Sequence, residues 1–146
     1  VKKVAGGYIL VLEVGCPVDV QIGKRGEISL EPGRYLYGGS AKRGIAARVN
    51  RHFSGGETLY WHIDYLTRHP RVDVIEAWCY PDNSLVEHQL AAMENLSENG
   101  IFRGFGNGDC KEGCRSHLWK VTGEISAADF SEDYYIVAHA QQYSNS

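Results

Sequence analysis

The chain has 146 residues, a net charge of −3 and 43% apolar residues. That length fits one domain able to bury a core unaided and leaves little room for two, so residues 1–146 are read as a single domain with 139–146 a frayed tail. No apolar run reaches the roughly eighteen residues of a membrane span. The start of the chain, two lysines and then an apolar stretch, lacks a small-residue cleavage site and reads as a first strand. Cys16, Cys79, Cys110 and Cys114 match no disulfide framework of a small secreted protein. Reduced thiols in a cytoplasmic protein are therefore expected.

Taken in order, residues 8–14 form a β-branched and aromatic run suited to a buried central strand. Residues 18–22 and 27–30 alternate around Gly23-Lys24-Arg25-Gly26, which predicts a hairpin. Pro32-Gly33 makes the next turn, and residues 34–37 form a short third strand ending at Gly38-Gly39-Ser40. The period then changes. Ile45, Val49 and Phe53 recur every fourth residue, which predicts a helix that stops at Ser54-Gly55-Gly56. A second helix is expected over about 59–68, a strand over 72–79 and a third helix over 84–96. A glycine-rich loop at 104–113, a short strand at 118–121 and a strand near 134–138 complete the pass. The order predicts an α+β domain: a small, mainly antiparallel sheet of three to five strands flanked by about three helices.

The net negative charge alone argues against a nucleic-acid partner, but its distribution is uneven. Residues 34–52 carry five Lys or Arg and no acid, whereas residues 122–146 carry four acids and no Lys or Arg. Such a basic segment suits either phosphate binding or a solvated helix. Within it, Tyr37 ends a strand at two glycines, and Arg48 and His52, four residues apart, share one helix face. Glycine lets a ligand approach the backbone closely, and Arg offers a planar fork for phosphate. On chemistry alone, a turn followed by a solvated helix explains the segment equally well.

Gly6-Gly7-Tyr8 resembles the first element of the GIY-YIG nuclease superfamily, and Tyr37-Gly38-Gly39 resembles the second. Ser40-Ala41 and Arg48…His52 follow in matching order. Gly7 and Gly38 stand where the family usually has an aliphatic residue, and the long hairpin between the two tyrosines is a further departure. That hairpin, Trp61-His62-Ile63-Asp64-Tyr65-Leu66 and the stretch from Gly104 to Leu118 are similar to a small prokaryotic Uri-type branch.

The resemblance implies a metal-dependent endonuclease acting on DNA, possessing one Mg²⁺ or Mn²⁺ and serving DNA repair. It implies catalytic roles for Tyr8, Tyr37, Arg48 and His52. Gly39, Ser40, Lys42, Arg43 and Arg51 would bind the DNA phosphates, and Glu87 the metal. A tyrosine base needs local positive charge, because its unperturbed pKa is about 10. Ser84-Leu85-Val86-Glu87 also has the form of a capping box, in which Glu87 would bond back to the Ser84 amide. Asn107 corresponds to an asparagine that follows the glutamate helix in many members, and it equally suits a glycine-rich turn. Ser116 and His117 would edge the site. Cys110, Cys114 and His117 lack an obvious fourth ligand, which disfavours zinc. His62 and Asp64, two apart, point to different helix faces and suggest a structural hydrogen bond rather than a catalytic pair. The resemblance also implies association with a DNA-repair glycosylase. A non-catalytic nucleic-acid-binding domain, or an interaction scaffold built on the cysteine loop, are the alternatives.

Overall fold

The computed structural model describes residues 4–23, 26–54, 59, 62–92, 118–121 and 123–138, the side chains of residues 87, 91 and 92 excepted. Its described strands are β1 (Gly6–Val14), β2 (Val18–Ile22), β3 (Gly26–Leu30), β4 (Gly33–Ala41), β5 (Val72–Pro81), β6 (Leu118–Lys120) and β7 (Tyr135–Ala138). Its described α-helices are α1 (Ile45–Ser54), α2 (His62–Thr67) and α3 (Val86–Ala92). Five strands form one sheet in the order β6-β4-β1-β5-β7, while β2 and β3 pair as a separate hairpin. Every pairing is antiparallel. The expected α+β class and sheet type are what the chain adopts. No helix among the described residues is long and apolar enough to cross a membrane.

β1 is the centre of the sheet because it is apolar on both faces: eight of its nine residues are buried. Alternate side chains of a strand point to opposite faces, and the core divides accordingly. Tyr8, Leu10, Leu12, Tyr35 and Tyr37 pack on one face with Ile45 and Val49 of α1, Ile63 and Leu66 of α2, and the inner side of the β2–β3 hairpin. Ile9, Val11, Leu36 and Trp78 pack on the other face with Val86 and Leu90 of α3 and with Phe130. Full burial of each such side chain stabilises the fold by roughly 1.5–3 kcal/mol.

The chain differs from expectation mainly at element ends. The strand expected over 34–37 runs instead from Gly33 to Ala41, straight through Gly38-Gly39. The reason is pairing: all nine β4 residues find partners on β1, from Val14↔Gly33 to Gly6↔Ala41. A continuous ladder on a central strand outweighs the weak strand preference of glycine. β5 likewise extends to Pro81 along β1. The described α2 is shorter than the expected 59–68. A short 3-10 turn at Ala127–Asp129, started by Ser126 and Asp129 bonding reciprocally, was not foreseen.

Candidate active site

Tyr8 and Tyr37 stand on neighbouring strands. Tyr8 lies opposite Gly39, and Tyr37 lies two residues before Gly39 on β4. The two tyrosines are therefore diagonal neighbours on one face of the sheet. Both belong to the core cluster beneath α1.

α1 reaches that face because Ile45, Val49 and His52 form its buried stripe. A helical repeat of 3.6 residues aligns these positions. His52 then comes down onto Tyr8. The Tyr8 hydroxyl and His52 Nε2 are 2.8 Å apart in a buried hydrogen bond, with the rings tilted at a centroid distance of 5.4 Å. Each residue is only 1% exposed. Burial pushes the His52 pKa down to about 3; the nearby Asp64 carboxylate opposes the shift, while the Arg48, Arg51 and Arg68 guanidiniums add to it. His52 is thus a neutral imidazole at physiological pH. It accepts from the phenol as the Nδ1–H tautomer or donates to it as the Nε2–H tautomer.

One turn before His52, half-buried Arg48 donates from Nη1 to the Ser40 carbonyl at 3.2 Å. This bond fixes the guanidinium at the end of β4. Lys42 and Arg43 are exposed in the turn between β4 and α1. The structure therefore brings Tyr8, Tyr37, Arg48, His52, Gly39 and Ser40 together at one end of the β1–β4 pair.

The site's glycines are sterically required. A Cβ at Gly39 would lie 2.5 Å from both Cζ and Oη of Tyr8. A Cβ at Gly7 would lie 2.2 Å from Val86 Cγ1 and 2.6 Å from the Asn83 carbonyl oxygen. The absence of an aliphatic residue at position 7 follows from the close approach of α3 to β1 there.

Arg51, one of the expected phosphate contacts, carries an ion pair within the protein. Its Nη1 and Nη2 donate to the two carboxylate oxygens of Asp64 at 2.8 and 3.0 Å. Arg68, one turn after Asp64, approaches the same carboxylate at 3.2 Å. Asp64 is completely buried. Its expected structural hydrogen bond is therefore a two-guanidinium ion cluster. Arg68 was not anticipated; the only signal was its position four residues after an acid.

Glu87 stands in the first turn of α3, next to Val86, which packs over Gly7. α3 covers the sheet face opposite Tyr8. Asn83 Oδ1 accepts from the Leu85 amide at 3.3 Å, an Asx contact that helps start the helix. The Glu87 side chain, and hence its capping-box partner, lies outside the described residues, as do Asn107, Cys110, Cys114, Ser116 and His117. No group of three potential metal ligands occurs among the described residues. Cys16 is an exposed thiol and Cys79 a buried one.

The arrangement is a buried tyrosine–histidine pair at a strand end, flanked by an arginine and two exposed basic residues. A family described as "Domain of unknown function DUF123" matches residues 7–138. The chain belongs to that family. Comparison with curated proteins and with solved structures gives no match.

Proposed function

We propose that the protein is a metal-dependent endonuclease of the GIY-YIG type, cutting phosphodiester bonds in DNA as part of repair in the cytoplasm. The observation that carries this reading is the meeting of Tyr8 with His52 at 2.8 Å beside an Arg48 tied to the Ser40 carbonyl. Two tyrosines on adjacent strands and an arginine–histidine helix face then share one end of the sheet.

In this reading, Arg48 holds the scissile phosphate with charge-assisted hydrogen bonds, and Lys42 and Arg43 hold flanking phosphates. Burial and three guanidiniums oppose an imidazolium at His52. Moving the Tyr8 proton onto His52 is therefore costly, and Tyr8 works by orienting and polarising water with its fixed phenolic oxygen rather than by full deprotonation. Tyr37 supports the same water from β4. By the same resemblance, Glu87 in the first turn of α3 is the residue that would hold one hard cation, since Mg²⁺ commonly takes one or two carboxylates with water and phosphate oxygens. When bound, such an ion supplies charge to stabilise the leaving oxygen. A repair glycosylase is the proposed partner, supplying damaged DNA for cleavage.

One observation favours a second reading, a nucleic-acid-binding domain without turnover: Tyr8 and His52 are almost fully buried. Incubation with labelled duplex, flap and branched DNA in Mg²⁺ or Mn²⁺ separates the two. The endonuclease reading expects metal-dependent products. The binding reading expects salt-sensitive complexes and intact DNA under every condition.

A further inference from the structure

We propose that Asp64 is a positioning residue for this site, gripping Arg51 so that α1 presents His52 and Arg48 to the sheet in one fixed rotation. Its functional consequence rests on the endonuclease reading; its geometry does not.

The geometry begins with a carboxylate that is 0% exposed, held in a two-point fork by Arg51 and approached by Arg68. Removing a carboxylate from water is costly, and a buried ion pair adds little net stability compared with apolar packing. A buried acid with two guanidiniums is therefore weakly explained by stability alone. What a fork supplies is direction: two parallel N–H···O bonds fix the plane of the guanidinium as well as its distance.

That direction is delivered where the site needs it. Arg51 lies three residues after Arg48 and directly before His52. Positions three and four apart share a helix face. α1 has ten residues; its fully buried apolar anchors, Ile45 and Val49, both come before Arg51, and beyond it only Phe53 packs, partly buried, against the core. The half of the helix that carries His52 is thus held by the partial packing of Phe53, by the Tyr8 bond and by the Asp64 fork, of which the fork alone fixes a direction. A small roll of α1 would draw His52 from Tyr8 and Arg48 from the Ser40 carbonyl together. The same fork removes Arg51 from the DNA-binding set and leaves Lys42, Arg43 and Arg48 as the phosphate contacts.

The test uses the full chain labelled with ¹⁵N, following the His52 imidazole resonances by NMR beside DNA cleavage. Arg51→Lys keeps the charge and the ion pair but loses the fork. Asp64→Asn keeps the shape and loses the charge. In Arg51→Lys the His52 resonances are expected to move toward those of a Tyr8→Phe reference, with kcat falling at least about tenfold and KM for DNA changing less than about threefold. His52 resonances identical to the parent in folded Arg51→Lys overturn the proposal, whatever Asp64→Asn does, including failure to fold. If the parent cuts no DNA while the resonances move, positioning stands and the endonuclease reading falls.

Discussion

Replacing Gly39 by alanine tests whether the strand pair is built around the Tyr8 hydroxyl. The added methyl would lie 2.5 Å from Cζ and Oη of Tyr8 and 3.0 Å from Cε1. Carbon atoms in comfortable contact sit about 3.5–4.0 Å apart, so the ring must retreat by roughly 1 Å. The tip of a side chain can usually yield, but here it is 1% exposed and hydrogen-bonded to His52 at 2.8 Å. A retreat of that size takes the bond beyond hydrogen-bonding distance. Overpacking costs about 1–3 kcal/mol and the lost hydrogen bond about 1 kcal/mol more. For a domain of this length a loss of about 2–4 kcal/mol lowers Tm by roughly 5–15 °C. Thermal unfolding followed by circular dichroism measures it. A double-mutant cycle with Tyr8→Phe assigns the cause: with the hydroxyl gone, part of the clash goes, and the two changes should couple by about 1 kcal/mol or more. Additive effects, or an alanine variant with the parent's Tm, would refute the reasoning.

Two further outcomes follow from the same face of the sheet. His52 has its pKa lowered from 6.5 to about 3, so the unfolded chain binds a proton that the folded chain refuses. Stability from this group is fully present above pH 6.5 and is lost as pH falls toward 3, by up to about 1.4 kcal/mol per pH unit. Urea unfolding between pH 4 and 7 should show a steeper decline for the parent than for His52→Gln, and parallel curves would contradict the assignment. Gly7→Ile, which places a large aliphatic residue at this position, should destabilise by about 3 kcal/mol, because Asn83 and Val86 already occupy that space. Gly15→Ala meets nothing within 4 Å and should leave Tm nearly unchanged, so equal effects at both positions would count against the packing argument.

Much of this was legible in the sequence, and the gaps have physical causes. The apolar run of β1 and the glycine-flanked hairpin announced themselves because strand period and turn chemistry are local. The Ile45–Val49 spacing gave α1 for the same reason, and the four-residue step gave Arg48 and His52 a common face. The length of β4 did not show, because glycines read as a turn until the register with β1 is known. The partner of Asp64 was equally hidden: Arg51 lies thirteen residues away on another helix, and only the packing of α1 beside α2 joins them. The basic segment left phosphate binding and a solvated helix open, and neither reading foresaw that a buried acid on another helix pairs with Arg51.

The most direct measurement is single-turnover cleavage of a labelled DNA substrate by excess protein with Mn²⁺, comparing the parent with Arg48→Ala and Glu87→Gln at matched DNA saturation. Removing an electrostatic contact to the reacting phosphate typically costs about 10²–10³ in rate, and an amide at position 87 loses the charge that holds a hard cation. The account predicts cleavage by the parent and a fall of at least about a hundredfold in both variants, with Tm within a few degrees of the parent. Cleavage by either variant at the parent's rate, or no cleavage by the folded parent across duplex, flap and branched DNA, would contradict it.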